Sequence, residues 1–95
     1  MTLDEMEAFF EKYEDEHYQF DRVPIKISAR RDLHVFILMD RLVRSNHVIV
    51  SSAEHDEIWL DVDPEEFAAV ANEGHIQELV RCGVRYDEDN FCMFV

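Results

Sequence analysis

The sequence sorts its charge into blocks, and any fold must accommodate that sorting. Residues 1–21 hold eight acids and one lysine, a net −7. Residues 22–44 hold six basic side chains (Arg22, Lys26, Arg30, Arg31, Arg41, Arg44) against Asp32 and Asp40, a net +4. Residues 45–95 hold twelve acids against Arg81 and Arg85, a net −10, and the whole chain carries −13. A compact chain with this charge repels itself and attracts basic surfaces from a distance. Folding then depends on a substantial apolar core, and 47% of the residues are hydrophobic. A chain of this length buries about 65% of its unfolded surface, enough for one core. Two glycines and two prolines leave little room for long irregular segments, so residues 1–95 read as a single domain.

Thr2 followed by Glu5 forms a capping-box pattern and predicts a helix from about residue 3. At about 100° per residue, Leu3, Met6, Phe9, Phe10, Tyr13, His17 and Phe20 share one arc. Asp4, Glu7, Glu11, Glu14 and Asp15 share the opposite arc. Asp21 to Ser28 reads as a connection, in which Pro24 holds Val23 out of helical geometry. Ile25, Lys26 and Ile27 offer a short extended edge piece. Asp32 to Arg44 reads as a second helix whose broad apolar arc implies burial on more than one side. A strand over Val35–Met39 competes with it; the length and the terminal Arg41 and Arg44 favour the helix.

His47–Ser51 and Glu57–Val62 read as strands joined by residues 52–56. In the second, Ile58, Leu60 and Val62 alternate with Glu57, Trp59 and Asp61, the pattern of a half-buried strand. Asp63-Pro64-Glu65-Glu66 supplies an N-cap, a proline at the first helical position and first-turn acids. That helix carries Phe67, Val70 and Ala71 and breaks near Asn72-Glu73-Gly74. A further short helix turns Ile76, Leu79 and Val80 inward and ends at Gly83. Val84–Asp87 and Phe91–Val95 close the chain as a hairpin around Glu88-Asp89-Asn90, its last strand apolar on both faces and so expected inside the sheet. The predicted fold is α+β: an antiparallel sheet of about four strands in two hairpins, with two longer and two short helices packed on one face.

Two partner-binding surfaces stand out. Asp4, Glu7, Glu11, Glu14 and Asp15 form an acidic stripe whose neighbouring carboxylates sit about 5–6 Å apart at Cβ. That density is comparable to a nucleic-acid backbone, which advances about 3.4 Å per base along one strand, so the stripe suits a Lys/Arg-lined groove. The competing reading is a solvated face that serves solubility. Trp59 is the second, an aromatic anchor between Glu57 and Asp61 with the composition of an interface hot spot. The alternative places it under a helix or loop.

Other chemistry has weaker support. Glu54-His55-Asp56-Glu57, with Asp61 and Asp63 beyond, holds metal-ligating types without any established ligand spacing, so no metal or other cofactor is expected. Ser51, Ser52, His55 and Asp56 supply the atoms of a hydrolytic triad but no nucleophile-elbow motif. With Gly74 and Gly83 alone, no phosphate-cradling loop can be built, and an enzyme is not expected. The basic residues 22–44 face a strongly acidic remainder, and Arg30, Arg31, Arg41 and Arg44 are expected to pair with neighbouring acids rather than bind nucleic acid directly. Cys82 and Cys92 lack a metal or redox spacing and read as free thiols of a reducing compartment. No apolar run approaches the roughly 20 residues that span a bilayer, and the acidic N-terminus lacks a signal-peptide pattern. A soluble cytoplasmic protein without membrane association is expected.

The stretch Ser51-Ser52-Ala53-Glu54-His55-Asp56-Glu57-Ile58-Trp59-Leu60-Asp61-Val62-Asp63, with Arg81-Cys82-Gly83-Val84-Arg85-Tyr86-Asp87, resembles short uncharacterised acidic proteins of tailed bacteriophages. The resemblance implies a viral protein acting in the host cytoplasm, where small acidic proteins often occupy a host protein. The expected function is a non-enzymatic module that inhibits or modulates a basic, nucleic-acid-handling host protein. A structural domain that self-associates through its +4 segment is the alternative.

Overall fold

The structure, a computed structural model, describes all 95 residues. Four helices, α1 (Leu3–Lys12), α2 (Arg31–Leu42), α3 (Pro64–Val70) and α4 (Glu73–Arg81), accompany four strands, β1 (Val50–Glu54), β2 (Glu57–Leu60), β3 (Val84–Asp87) and β4 (Asn90–Phe94). The strands form one antiparallel sheet in the order β1-β2-β4-β3. The α+β prediction therefore holds, and the last strand lies inside the sheet as its apolar faces require.

Register assigns the two sheet faces. Ile58, Met93 and Val84 align across three strands, as do Leu60, Phe91 and Tyr86. These point into the core, where Phe91, Met93 and Val84 are fully buried against Met6, Phe67, Ile76 and Leu79. Trp59, Cys92 and Arg85 align on the other face. Both hairpin turns have two residues. Glu88 and Asp89 both take positive φ (50° and 65°), the backbone a type I′ turn demands.

Local signals account for most boundaries. Thr2 and Glu5 close the capping box of α1, Asp63 caps α3 through the Glu65 amide, and Asn72 caps α4 through the His75 amide. Gly83 ends the α4 turn at φ 92°. Other expectations need correction. The first helix stops at Lys12 rather than running to Phe20; Glu14–Glu16 form a 3₁₀ turn and Tyr18 has φ 67°. Glu11, Glu14, Asp15 and Glu16 would crowd the negative end of the helix dipole. The chain turns instead, and Glu16 reaches Arg81 Nε at 2.8 Å.

Ile25–Ile27 forms no strand, and Ile25 stands 83% exposed. The helix α2 buries one face (His34, Val35, Leu38, Met39) rather than several, and Leu33 is exposed. It is tied at the domain end by polar contacts. Arg31 Nη1 donates to the carbonyls of Cys82 (2.9 Å) and Phe94 (2.8 Å) and stacks over Tyr18. Buried His34 accepts the Ile27 amide at Nδ1 (3.1 Å), which leaves Nε2 to donate to Glu78 at 2.7 Å. The first hairpin also turns later than expected: Ser52, Ala53 and Glu54 belong to β1, with a bulge between Val50 and Ser52.

Two carboxylates pin α1 and the turn after it to α4. Glu73 accepts from Lys12 Nζ (2.8 Å) and the Tyr13 hydroxyl, and Glu16 accepts from Arg81 and Gln77. The Lys12 and Tyr13 hydrogen bonds hold Glu73 below the ordinary value of 4.5, and Arg81 does the same for Glu16. Because the folded pKa is depressed, this stabilisation is present above the ordinary value and is lost as pH falls through the lowered one. Thermal melts in acid should show that loss, and Glu16→Gln with Glu73→Gln should flatten it. An unchanged pH profile in the double variant would contradict the assignment.

Candidate binding surface

The five acids predicted along the first helix all face solvent, and none has a cationic group within 4 Å. Asp4, Glu7 and Glu11 lie on α1, whereas Glu14 and Asp15 continue the row on the 3₁₀ turn. The fold extends this row in a way that no periodicity shows. Burial, the Asp89 carboxylate and the Glu7 charge all push the Tyr86 hydroxyl pKa up. Tyr86 Oη donates to Asp89 at 3.2 Å. The turn acids Glu88 and Asp89 are exposed, as is Asp87 before them. Asp87, at the foot of the β3–β4 turn, lines one groove with Glu7, Glu11 and Glu14 and so adds its charge to the α1 band.

Between the band and β3 runs an open groove of about 530 Å³. Glu7, Glu11 and Glu14 form one wall, and Phe10 and Val80 contribute to the floor. The opposite wall takes residues from both faces of β3, Val84 and Tyr86 from the core side and Arg85 and Asp87 from the other. His17 lines the same groove; burial lowers its pKa against a smaller raising contact with the Gly83 carbonyl. Its Nε2 and the Nε of Arg85 are buried without a protein partner.

Trp59 stands elsewhere. It is half-buried on the sheet face opposite the core, between two shallow depressions, one bounded by His55, Asp56 and Phe94 and one by Ser51, Ser52 and Asn90. Its acidic ring is smaller than the sequence suggested. Glu57 is bound to Arg85, and Asp61 lies 3.5 Å from His47 Nδ1. The Glu57–Arg85 pair spans β4 above Cys92, and Arg85 also stacks on Phe94. The two surfaces predicted together are therefore separate: α1 packs through Met6 and Phe10 on the core side of the sheet, and Trp59 lies on the other face.

The remaining candidates do not assemble. Ser51 Oγ donates to the Trp59 carbonyl, and His55 projects exposed from the turn without a hydrogen bond to Ser51 or Ser52. No group of three or more His, Cys, Asp or Glu side chains is placed to hold a metal ion. Both cysteines are free and buried, and burial pushes their thiols up to about 12 for Cys82 and about 11 for Cys92. Neutral thiols of that kind are poor nucleophiles. The expected pairing of the basic segment fails: Arg30, Arg41 and Arg44 are exposed with no carboxylate within 4 Å, and Arg31 bonds backbone carbonyls instead. No helix is long and apolar enough to cross a membrane.

No family model, curated protein or solved structure matches the chain.

Sequence reasoning missed the contribution of Asp87, and of Tyr86 and His17. The acid run at residues 87–89 is visible in the sequence, but only the tertiary packing of α1 beside β3 brings Asp87 into one groove with Glu7.

Proposed function

We propose that this protein is a non-enzymatic acidic binding module that occupies a basic, nucleic-acid-handling partner, with a phage-encoded inhibitor of a host protein as the specific setting. One observation carries the reading: Asp4, Glu7, Glu11, Glu14 and Asp15 are exposed and unpaired, and Glu7, Glu11 and Glu14 line one groove with Asp87 of β3. Four of the arginines are engaged elsewhere. Arg22 and Arg81 approach Glu16, Arg85 pairs with Glu57, and Arg31 caps carbonyls. A band left free in this way steers basic surfaces toward it and contributes more to association rate than to lifetime.

The test is capture of host-lysate proteins at low and high salt by the wild-type chain and by Glu7→Lys/Glu11→Lys/Asp15→Lys, with partners identified by mass. Basic nucleic-acid-binding proteins should be retained at low salt, released at high salt, and lost by the reversed variant. Retention of the same partner by both chains at high salt would contradict the proposal.

The unpaired Arg30, Arg41 and Arg44 favour a second reading, an accessory domain that self-associates by presenting α2 to the acidic band of another copy. Sedimentation across a concentration series separates the two: a mass that rises with concentration and falls with salt supports this reading, and a monomer throughout removes it.

A further inference from the structure

We infer that the outward face of α2 docks an amphipathic helix of an acidic partner protein, with Leu33 and Ile37 against its apolar stripe and Arg30 and Arg41 against its carboxylates. The inference stands apart from the acidic band and adds a second surface of opposite sign.

Core packing leaves one side of α2 uncovered. Val35, Leu38 and Met39 belong to the core, and Phe36 and Leu42 pack against it. Leu33 and Ile37 do neither; Leu33 is 42% exposed and Ile37 half-buried. Four residues apart, they lie one above the other as a single stripe. Arg30, at the N-cap, and Arg41 are eleven residues apart. At about 100° per residue that spacing returns them to one border of the stripe, roughly 16 Å apart along the axis. Asp40 falls on the other border, and Arg44 follows just past the helix end. None of the three arginines has a carboxylate within 4 Å. The fold gains nothing from Arg30, since a cation is unfavourable at a helix N-terminus and its side chain makes no capping bond.

Charge complementarity selects the occupant. The stripe calls for apolar side chains, and its basic border calls for carboxylates about three turns apart; one face of an amphipathic helix supplies both. A nucleic-acid backbone offers phosphates but nothing apolar to cover Leu33 and Ile37. A flat anionic bilayer would meet Asp32 and Asp40, both exposed on α2, together with the arginines. A helix can keep its acids to the Arg30–Arg41 border. In a second copy, the outward face of α1 (Asp4, Glu7, Ala8, Glu11) is acidic or small and leaves the stripe without an apolar counterpart. The net charge of −13 opposes an acidic partner at long range, but that field decays over about 8 Å at physiological ionic strength. At contact the unpaired arginines dominate.

The probe is a helical peptide of about 18 residues, with leucines one turn apart along one face and two glutamates about three turns apart on one border of that stripe. Its control has the same composition, with the glutamates moved to the back of the helix. Wild-type protein should bind the control at least about tenfold more weakly than the probe. Arg30→Glu/Arg41→Glu and Leu33→Ser should each lose a similar factor for the probe while melting like the wild type, and Glu7→Lys/Glu11→Lys should not weaken binding. Equal affinity for probe and control, no loss in either α2 variant, or no binding at low salt would each overturn the proposal. Tighter binding of a duplex DNA oligomer or a phosphatidylglycerol vesicle than of the probe, dependent on Arg30 and Arg41, would overturn it in favour of a phosphate-binding face. A mass that rises with concentration and falls in Leu33→Ser would overturn it in favour of a second copy.

Discussion

Phe91→Ala should destabilise the domain by about 3–5 kcal/mol, the range for removing a fully buried phenylalanine. Phe91 lies on the interior strand β4, is fully buried, and aligns with Leu60 and Tyr86 on its two sides. Its ring meets Phe67 of α3 at 4.9 Å, Tyr86 at 5.2 Å and Phe10 of α1 at 6.1 Å between centroids. Three elements thus share one side chain, and none can move inward without losing another contact. For a domain of this size the loss corresponds to a melting point lower by about 15–30 °C. A calorimetric shift of only a few degrees would show that the core relaxes around the deletion.

Gly83→Ala should cost about 2–4 kcal/mol, although it adds a single methyl group. The residue has φ 92°, outside the range that side chains favour. A Cβ there would lie 2.6 Å from Tyr18 Cε1 and 2.7 Å from Arg31 Nη1. Relieving that clash displaces the guanidinium that bonds the Cys82 and Phe94 carbonyls and stacks on Tyr18. The contrast is Gly74→Ala in α4, where the Cβ meets only Asn72 Oδ1 at 3.2 Å and φ is ordinary. That change should stay within about 1 kcal/mol, the usual size of a Gly→Ala effect at a compatible site. Equal destabilisation by the two substitutions in denaturant melts would remove the special role assigned to Gly83.

Elements defined by local chemistry are legible in the sequence. The Thr2–Glu5 capping box, the Asp63-Pro64 helix start, the Gly83 stop and the alternation of Ile58 and Leu60 each act within a few residues of where they occur. The end of the first helix is not legible, because hydrophobic period at His17 and Phe20 persists after the charge at Glu14–Glu16 has already turned the chain. The burial of α2 was overestimated because period reports a wide apolar arc without saying how many neighbours cover it. The acidic row was legible as a set of residues. Its joining to Asp87 of β3, and its separation from Trp59, come from the β2–β4 pairing and the packing of α1 beside β3, contacts between distant segments that no window of sequence contains.

The account turns on the free carboxylates of α1 and the turn that follows it. Once a partner has been captured, its association rate with the wild-type chain and with Glu7→Lys/Glu11→Lys/Asp15→Lys, measured by stopped flow across ionic strength, tests them most directly. The wild-type rate should fall steeply with salt, and the reversed variant should start about tenfold or more lower with a flat or inverted dependence. Equal rates with the same salt dependence for both chains would mean that another surface does the binding.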